Sequence, residues 1–316
     1  MEKNPRTDLG FRALPEVVLA GPTAVGKSEI ALLLAERIGG EIVSVDSMQV
    51  YRGLDIGTAK PSDIERARVP HHLIDVADLS EPFDAAQFVR LASAAVAGVR
   101  SRGRVPILCG GTGLYFKAFL EGLGTTPAAD PTLRAELESL PLEQLLRELA
   151  KGDPLTFEHI DRCNPRRVIR AVEVIRLTGK PFSQQRAEWA SRAKSPGVGS
   201  FGLMRAAADL HCRINNRVEE MFHRGLVTET RQLLERGFEQ SPAPMQALGY
   251  RQVVEHLRGE GTLADTIELV KLRTRQFAKR QMTWFRGQLS LNWLDLSHAE
   301  PAAVVEQIAR EIQPRR

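Results

Sequence analysis

Val17-Val-Leu-Ala-Gly-Pro-Thr-Ala-Val-Gly-Lys-Ser28 joins a short apolar run, typical of a buried strand, to a loop bounded by two glycines. From Ser28 to Ile38 apolar residues recur at helical spacing, and Gly39-Gly40 is a predicted C-cap. A GxxxxGK[ST] loop between a strand and a helix predicts a phosphate site, because backbone N–H groups and the positive helix end attract phosphate oxygens. The alternative is a glycine turn with a chance lysine.

This loop supplies the predicted phosphate ligands. Lys27 would place a positive charge on the terminal phosphates, and Ser28 would hold a Mg²⁺ that bridges phosphate oxygens. The predicted diphosphate-binding residues of the loop are Gly21, Thr23, Ala24, Val25, Gly26, Lys27 and Ser28. Such a loop binds a diphosphate or triphosphate without specifying a reaction.

Further short apolar runs alternate with helical patterns. Ile42–Val45 ends at Asp46, an acid that could serve as a metal ligand or as a general base. Val105–Leu108 ends at Gly110–Gly113 and follows a helical stretch at Ala85–Val99. This alternation predicts an α/β fold: a P-loop NTPase-like parallel sheet core flanked by helices, with the site at the carboxyl ends of the strands.

The composition changes near residue 124. Residues 125–200 read as charged amphipathic helices, which predicts an all-helical insertion domain with a return linker at Ser195–Gly199. Residues 1–124 and 201–316 form the predicted core domain. Its later part should contain a strand at Phe201–Met204, helices at Leu210–Glu235 and Leu263–Phe285, and an apolar run at Leu291–Leu296.

The bulk composition limits the class of protein. The chain has 316 residues, 43% of them hydrophobic, a net charge of +4 and three cysteines without CxxC spacing. These values favour a folded, soluble protein whose polyanion partner would be bound by local clusters, with cysteines that fill the core. The N-terminal residues lack an apolar signal region and we find no run long enough to span a membrane, so we expect a cytoplasmic protein.

The segment from Asp46 to Pro61, DSMQVYRGLDIGTAKP, resembles the tRNA dimethylallyltransferase (tRNA isopentenyltransferase) family. The likeness continues, in the family's order, through Pro70–Asp75, Gly110–Lys117, Asn164–Arg170, Leu248–Gln252 and Thr274–Arg286. The chain is similar to the bacterial form, because it has no cysteine after Cys212 for the zinc finger of eukaryotic members. Val25 and Ser28 differ from many relatives but remove neither a backbone donor nor the metal-binding hydroxyl.

The resemblance implies a reaction. A dimethylallyl group would pass from dimethylallyl diphosphate to the exocyclic amine of the adenosine 3′-adjacent to the anticodon, in tRNAs reading codons that begin with U. Asp46 matches the catalytic aspartate and would be the base, since an aromatic amine needs to lose a proton as it is alkylated. Thr23 and Arg217 would bind the leaving diphosphate as further catalytic residues. Arg213, one helical turn away, is either a helper or a surface arginine.

The resemblance also implies a tRNA surface that binds the anticodon stem-loop. Ser47, Met48 and Gln49 match the segment that holds the flipped adenosine, although Met48 could equally be core. Two basic runs, Asp161–Lys180 with two acids and Arg273–Arg286 with none, coincide with family blocks, where a charge run alone would suggest a solvated face. The predicted tRNA-binding residues are Asp46, Ser47, Met48, Gln49, Thr112, Arg166, Arg167, Arg170, Gly249, Tyr250, Arg251, Lys279, Arg280, Gln281, Trp284 and Arg286.

Two smaller motifs have competing interpretations. His71-His72 suggests a metal, but without a ligand at suitable spacing we expect a loop near the substrate mouth. Gly110–Gly113 could form a second phosphate nest, or a tight turn that needs the dihedral freedom of glycine.

Three functions are compatible with a phosphate loop beside basic runs. The first is the tRNA prenyltransferase, acting as a monomer. The second is a P-loop enzyme of free nucleotides, which would not need the basic insertion. The third is an RNA-binding protein without catalysis, in which Asp46, Lys27 and Ser28 would have no use.

Overall fold

The computed structural model describes residues 17–123, 127–185 and 199–312. One sheet contains β1 (Val17–Ala20), β2 (Gly40–Val45), β3 (His71–His72), β4 (Val105–Gly110), β5 (Ser200–Met204) and β6 (Asn292–Asp295), in the order β3-β2-β4-β1-β5-β6. All neighbouring strands are parallel. The predicted α/β fold class is confirmed.

Helices alternate with these strands. They are α1 (Lys27–Ile38), α2 (Asp63–Arg68), α3 (Ala85–Ser101), α4 (Gly113–Glu121), α5 (Pro131–Ser139), α6 (Leu142–Gly152), α7 (Pro154–His159), α8 (Pro165–Thr178), α9 (Ala207–His223), α10 (Leu226–Glu235), α11 (Tyr250–Leu257), α12 (Leu263–Gln288) and α13 (Pro301–Ile312). The predicted helix at Leu210–Glu235 is interrupted at Gly225, whose φ of 98° lies in the left-handed region and starts a new helix.

Contacts divide the chain into two compact units. One comprises Met1–Lys117 and Pro196–Arg316, and the other Ala118–Ser195. The predicted boundary at residues 124–125 lies outside the described residues, as does most of the predicted linker at Ser195–Gly199.

The sheet unit is held by two apolar clusters. The larger joins the strand residues Leu19, Ile107 and Phe201 to helices α1 and α13. The second packs the segment after Asp46, including Val50 and Leu54, against α10 and α11. Because both flanks of the Asp46 segment are tied to buried side chains, its position relative to the sheet is fixed.

The second unit has its own core. Leu145 and Leu149 of α6 pack with Val168 and Val172 of α8, all at most 1% exposed. At the same core Glu173, fully buried, accepts hydrogen bonds from Arg134 and Arg170. A buried carboxylate needs such partners, so these arginines stabilise the unit.

The three cysteines differ in environment. Cys109 in β4 is buried, whereas Cys163 and Cys212 are exposed. The prediction of core cysteines is therefore wrong for the last two. His71 and His72 form an edge strand instead of the predicted loop, where His72 lies 2.8 Å from a Glu41 carboxylate oxygen.

Candidate active site

The ends of three neighbouring strands bring the predicted catalytic segments together. Ala20 at the end of β1 and Val45 at the end of β2 both pair with Gly110 of β4. The phosphate loop, Asp46 and Thr112 each follow one of these strands, so they lie at the same sheet edge. In open parallel sheets, ligands bind at the carboxyl ends of the strands, at the point where the strand order reverses.

Two arginines bind carbonyl groups of the phosphate loop. Arg213 Nε donates to the Ala24 carbonyl at 3.0 Å, and Arg205 Nε donates to the Val25 carbonyl at 2.8 Å. In a trans peptide the C=O and the following N–H are antiparallel, so the N–H groups of Val25 and Gly26 point away from these arginines. Sequence reasoning missed Arg205, which has no motif and is recognisable only from its contact with the loop.

Lys27 is held inside the loop. Its Nζ donates to the Pro22 carbonyl at 2.6 Å. Burial lowers the pKa of Lys27 to about 8, with a smaller lowering from Arg217 that Cys109 and Asp46 oppose. A cavity of about 680 Å³ is lined by Ala24, Gly26, Lys27, Ser28, Arg213 and Arg217, so four of the seven predicted loop ligands share one space. Of the other three, Gly21 and Val25 are buried and Thr23 lines a separate cavity.

Asp46 lines a second cavity of about 670 Å³ together with Thr23, Ser47, Met48 and Thr112. Its Oδ1 accepts hydrogen bonds from the N–H groups of Met48, at 2.8 Å, and Gln49, at 3.2 Å. These two bonds fix the orientation of the carboxylate, because rotation would break both. No hydrogen bond to Oδ2 is found among the described residues, so this oxygen is available to accept a proton.

The residues after Asp46 serve different purposes. The Ser47 N–H donates to Thr112 Oγ1 at 3.0 Å, which joins the β2 and β4 loops. Gln49 does not line the Asp46 cavity: its side chain bonds Ser44 and the carbonyls of Thr58 and Ala59. Its amide groups are used by the protein, so Gln49 supports the segment, and its contact with tRNA stays a prediction.

Arg217 lines both cavities. Burial lowers the pKa of its guanidinium, and the nearby carboxylate of Asp46 opposes that change. Its Nη2 lies 3.5 Å from the Thr58 carbonyl, a long contact that leaves most of its donors to other partners. A cation at the junction of the two cavities can contact a group that extends from the phosphate loop toward Asp46.

Tyr250, predicted to contact tRNA, is fully buried. Its hydroxyl donates to Glu229 and accepts the Gly57 N–H at 3.0 Å, and Glu229 also accepts the Ile56 N–H at 3.0 Å. Burial and the neighbouring Glu229 raise the pKa of Tyr250, so the hydroxyl keeps its proton. The prediction is wrong for Tyr250: it supports Gly57 and Thr58, which line the Asp46 cavity. Gly249 is also buried, and its N–H bonds Gln252.

Helix α12 places part of its basic face on the Asp46 cavity. Arg280 and Gln281 line it, as does Arg251 of α11. Lys279, Trp284 and Arg286 do not: the Trp284 ring covers Gly113, and Arg286 lies 5.7 Å from the Trp293 ring. Arg273, Thr274 and Phe277 also line the cavity, one and two turns before Gln281. They lie in the predicted basic run Arg273–Arg286 but are not among the predicted tRNA-binding residues, although helical spacing indicated them.

The predicted tRNA-binding arginines of the helical unit fall into two groups. Arg166 and Arg167 on α8 are exposed. Arg170 instead bonds Glu173 at 2.7 Å and the Pro127 carbonyl at 2.6 Å. Its charge is thus already paired with a buried carboxylate.

The glycines after β4 are needed for space. None of Gly110, Gly111 and Gly113 has a positive φ, so the predicted need for dihedral freedom is wrong. A Cβ on Gly110 would lie 2.0 Å from the Val45 carbonyl oxygen, and one on Gly113 would lie 2.2 Å from the Trp284 ring. Close approach of neighbouring segments excludes any larger residue.

Comparison with known proteins identifies this arrangement. A family model described as IPP transferase matches residues 49–288. The chain belongs to the IPP transferase family. It is 45% identical over 297 residues to the tRNA dimethylallyltransferase 1 of Trichlorobacter lovleyi, covering 93% of this chain and 97% of that one. The resemblance inferred from the motifs is confirmed.

Solved structures agree with the family assignment. The full-length tRNA isopentenylpyrophosphate transferase of Bacillus halodurans is 39% identical, with a TM-score of 0.69 and coverage of 95% of this chain and 97% of that one. A eukaryotic dimethylallyltransferase, solved acting on tRNA, is 30% identical with a TM-score of 0.75, covering 90% of this chain and 74% of that one.

Proposed function

We propose that this IPP transferase family member moves a dimethylallyl group from dimethylallyl diphosphate to the exocyclic amine of the adenosine 3′-adjacent to the anticodon, in tRNAs reading codons that begin with U. One observation carries the proposal: Asp46 and Thr23 line one cavity, the phosphate loop lines the other, and Arg217 lines both. A donor gripped at its diphosphate can therefore extend its allyl end toward Asp46.

Asp46 acts as the general base. The exocyclic nitrogen forms a bond to the allylic carbon, the bond from that carbon to the diphosphate oxygen breaks with its electron pair on oxygen, and the nitrogen's proton passes to Asp46. The two N–H donors on Oδ1 leave Oδ2 as the proton acceptor. A positioned base contributes about 10²- to 10⁴-fold to such a step.

The leaving diphosphate is stabilised by groups already in place. Lys27, Arg217 and the backbone N–H groups of the loop would offer positive charge where negative charge develops, with Thr23 on the Asp46 side. Because the arginines Arg205 and Arg213 hold the loop carbonyls away, little reorganisation is needed during the reaction.

Magnesium fits the same cavity. The exposed hydroxyl of Ser28 is a hard oxygen ligand beside Lys27, and Mg²⁺ is commonly held by one or two protein oxygens together with substrate phosphates and water. When bound, the ion would neutralise charge on the diphosphate oxygens.

The anticodon stem-loop is the proposed RNA partner, and the side of the Asp46 cavity lined by α11 and α12 is its entrance. Arg251, Arg273 and Arg280 would contact phosphates and Phe277 would stack on a base. Arg166 and Arg167 of the helical unit, which we propose is the inserted tRNA-contacting domain, would add phosphate contacts.

No described helix is long and apolar enough to cross a membrane. The cytoplasmic location and the monomeric state of the enzyme stay predictions.

The test uses unmodified tRNA and radiolabelled dimethylallyl diphosphate. We expect label in tRNA, and a rate at least about 100-fold lower in Asp46→Asn, which keeps the acceptor for both N–H groups but loses the base. Asp78→Asn is the matched control, since Asp78 is an exposed surface carboxylate paired with Arg52. A tRNA with guanosine at the acceptor position should stay unlabelled.

Two outcomes would replace the proposal. Label in free adenosine monophosphate but not in tRNA would indicate the small-molecule enzyme. Tight tRNA binding without any label would indicate an RNA-binding protein.

A further inference from the structure

Gln281 joins the phosphate loop to the loop after β4. Its Oε1 accepts the Thr23 N–H at 2.9 Å and its Nε2 donates to the Gly111 carbonyl at 2.9 Å. Thr23 and Gly111 follow the neighbouring strands β1 and β4, so one side chain from α12 connects the two loops that flank the predicted reaction centre.

The chemistry of the partners allows one amide orientation. An N–H requires an acceptor and a carbonyl requires a donor, so Oε1 faces Thr23 and Nε2 faces Gly111. Methionine has a similar length but no strong donor or acceptor, and ionised glutamate would set an oxygen against the Gly111 carbonyl. Only a side chain with both groups at this length satisfies both loops.

The position of Gln281 is fixed by close packing on the side away from the cavity. It is 9% exposed, between Ala278 and Phe285 on the buried face of α12. A Cβ on Gly111 would lie 2.4 Å from Nε2, so the glycine is what lets the amide reach the loop. Side chains held this closely transmit a displacement directly to their partners.

We infer that Gln281 is a positioning residue for the transfer reaction: it holds Thr23, and with it the start of the phosphate loop, at a fixed place relative to Asp46. Thr23, Asp46, Gly111 and Gln281 all line the Asp46 cavity. Because the Thr23 N–H is used by Gln281, Thr23 can offer the diphosphate only its hydroxyl. The inference rests on the proposed function and replaces the predicted tRNA contact of Gln281, whose amide is already used at both ends.

The experiment measures the two roles separately. Single-turnover transfer to saturating tRNA, with saturating dimethylallyl diphosphate, gives the rate, and filter binding gives the tRNA dissociation constant. In Gln281→Met we expect the rate to fall about 10- to 100-fold, because small misplacements of reacting groups cost that much. The dissociation constant for tRNA should stay within about threefold. Gln307→Met, an exposed glutamine on α13, is the matched control and should keep the native rate.

A second variant keeps the test valid if the first does not fold. Gln281→Glu retains the acceptor for Thr23, and its protonated form also regains a donor for Gly111. The ratio of its rate to the native rate should therefore rise as the pH falls from about 8 to about 6, since a carboxyl facing a carbonyl in a buried site has a raised pKa. A purely structural role would not produce this pH dependence.

The outcomes are distinct. A Gln281→Met rate within about threefold of native, or a lower tRNA affinity whose effect disappears at saturating tRNA, overturns the inference while native transfer stands. Absence of label with the native protein refutes the proposed function itself, and the inference with it.

Discussion

Removing the Tyr250 hydroxyl should destabilise the sheet unit. Tyr250→Phe deletes a hydrogen bond to the Glu229 carboxylate and one from the Gly57 N–H, both at a fully buried ring. A bond to a charged group contributes about 1.5–3 kcal/mol and a neutral one about 0.5–1.5 kcal/mol, which together make about 2–4.5 kcal/mol. At about 2–4 °C per kcal/mol for a chain of this size, the melting temperature should fall by about 4–18 °C.

Thermal unfolding followed by circular dichroism measures this change. Tyr51→Phe is the matched control, because the buried Tyr51 hydroxyl has no hydrogen-bond partner among the described residues. The Phe83 backbone is close enough to affect the pKa of Tyr51, but it does not meet the geometry of a hydrogen bond. A Tyr250→Phe melting temperature within about 1 °C of the control would refute the reasoning. Unchanged stability with weakened tRNA binding would restore Tyr250 as an RNA contact.

Two further predictions concern charged groups. The Lys27 pKa of about 8 predicts that its amine is largely neutral above that pH, so binding of diphosphate then requires uptake of a proton by Lys27. The dissociation constant for inorganic diphosphate, measured by calorimetry, should therefore rise above about pH 8. Lys27→Arg stays charged and should show a smaller rise, and equal slopes would contradict the prediction. Arg170→Met should destabilise the helical unit by about 1–3 kcal/mol, because buried Glu173 keeps Arg134 but loses one hydrogen-bond partner. Exposed Arg167→Met should leave thermal stability unchanged and reduce the salt dependence of tRNA binding, and the reverse pattern would show that their roles are exchanged.

The phosphate loop and Asp46 could be predicted because their signals are local. A strand, a glycine loop and a helix follow one another within 22 residues, Val17 to Ile38, and Asp46 ends the next apolar run. The sheet rule then places both at one edge, since carboxyl ends of parallel strands coincide. The same locality explains why four of the six described strands were predicted, why β6 was recognised only as an apolar run, and why the two-residue β3 was not found.

The supports of the site could not be predicted, because their partners are distant in sequence. Gln281 bonds Thr23 across 258 residues, and Glu229 bonds Ile56 across 173. Helical spacing did hold a signal for Gln281: a glutamine between Ala278 and Phe285 is polar within a buried stripe, and a buried polar group needs partners. The family resemblance predicted contacts with tRNA for both Gln281 and Tyr250, whereas in the structure their polar atoms form hydrogen bonds within the protein.

Cys163 and Cys212, exposed and one on each compact unit, have a practical value that follows from the burial of Cys109. Burial raises the pKa of Cys109 to about 11, so that thiol stays protonated and shielded while the other two react with maleimides at neutral pH. The native chain therefore carries two natural attachment points for a donor and an acceptor dye, and energy transfer between them would follow any movement of the helical unit when RNA arrives.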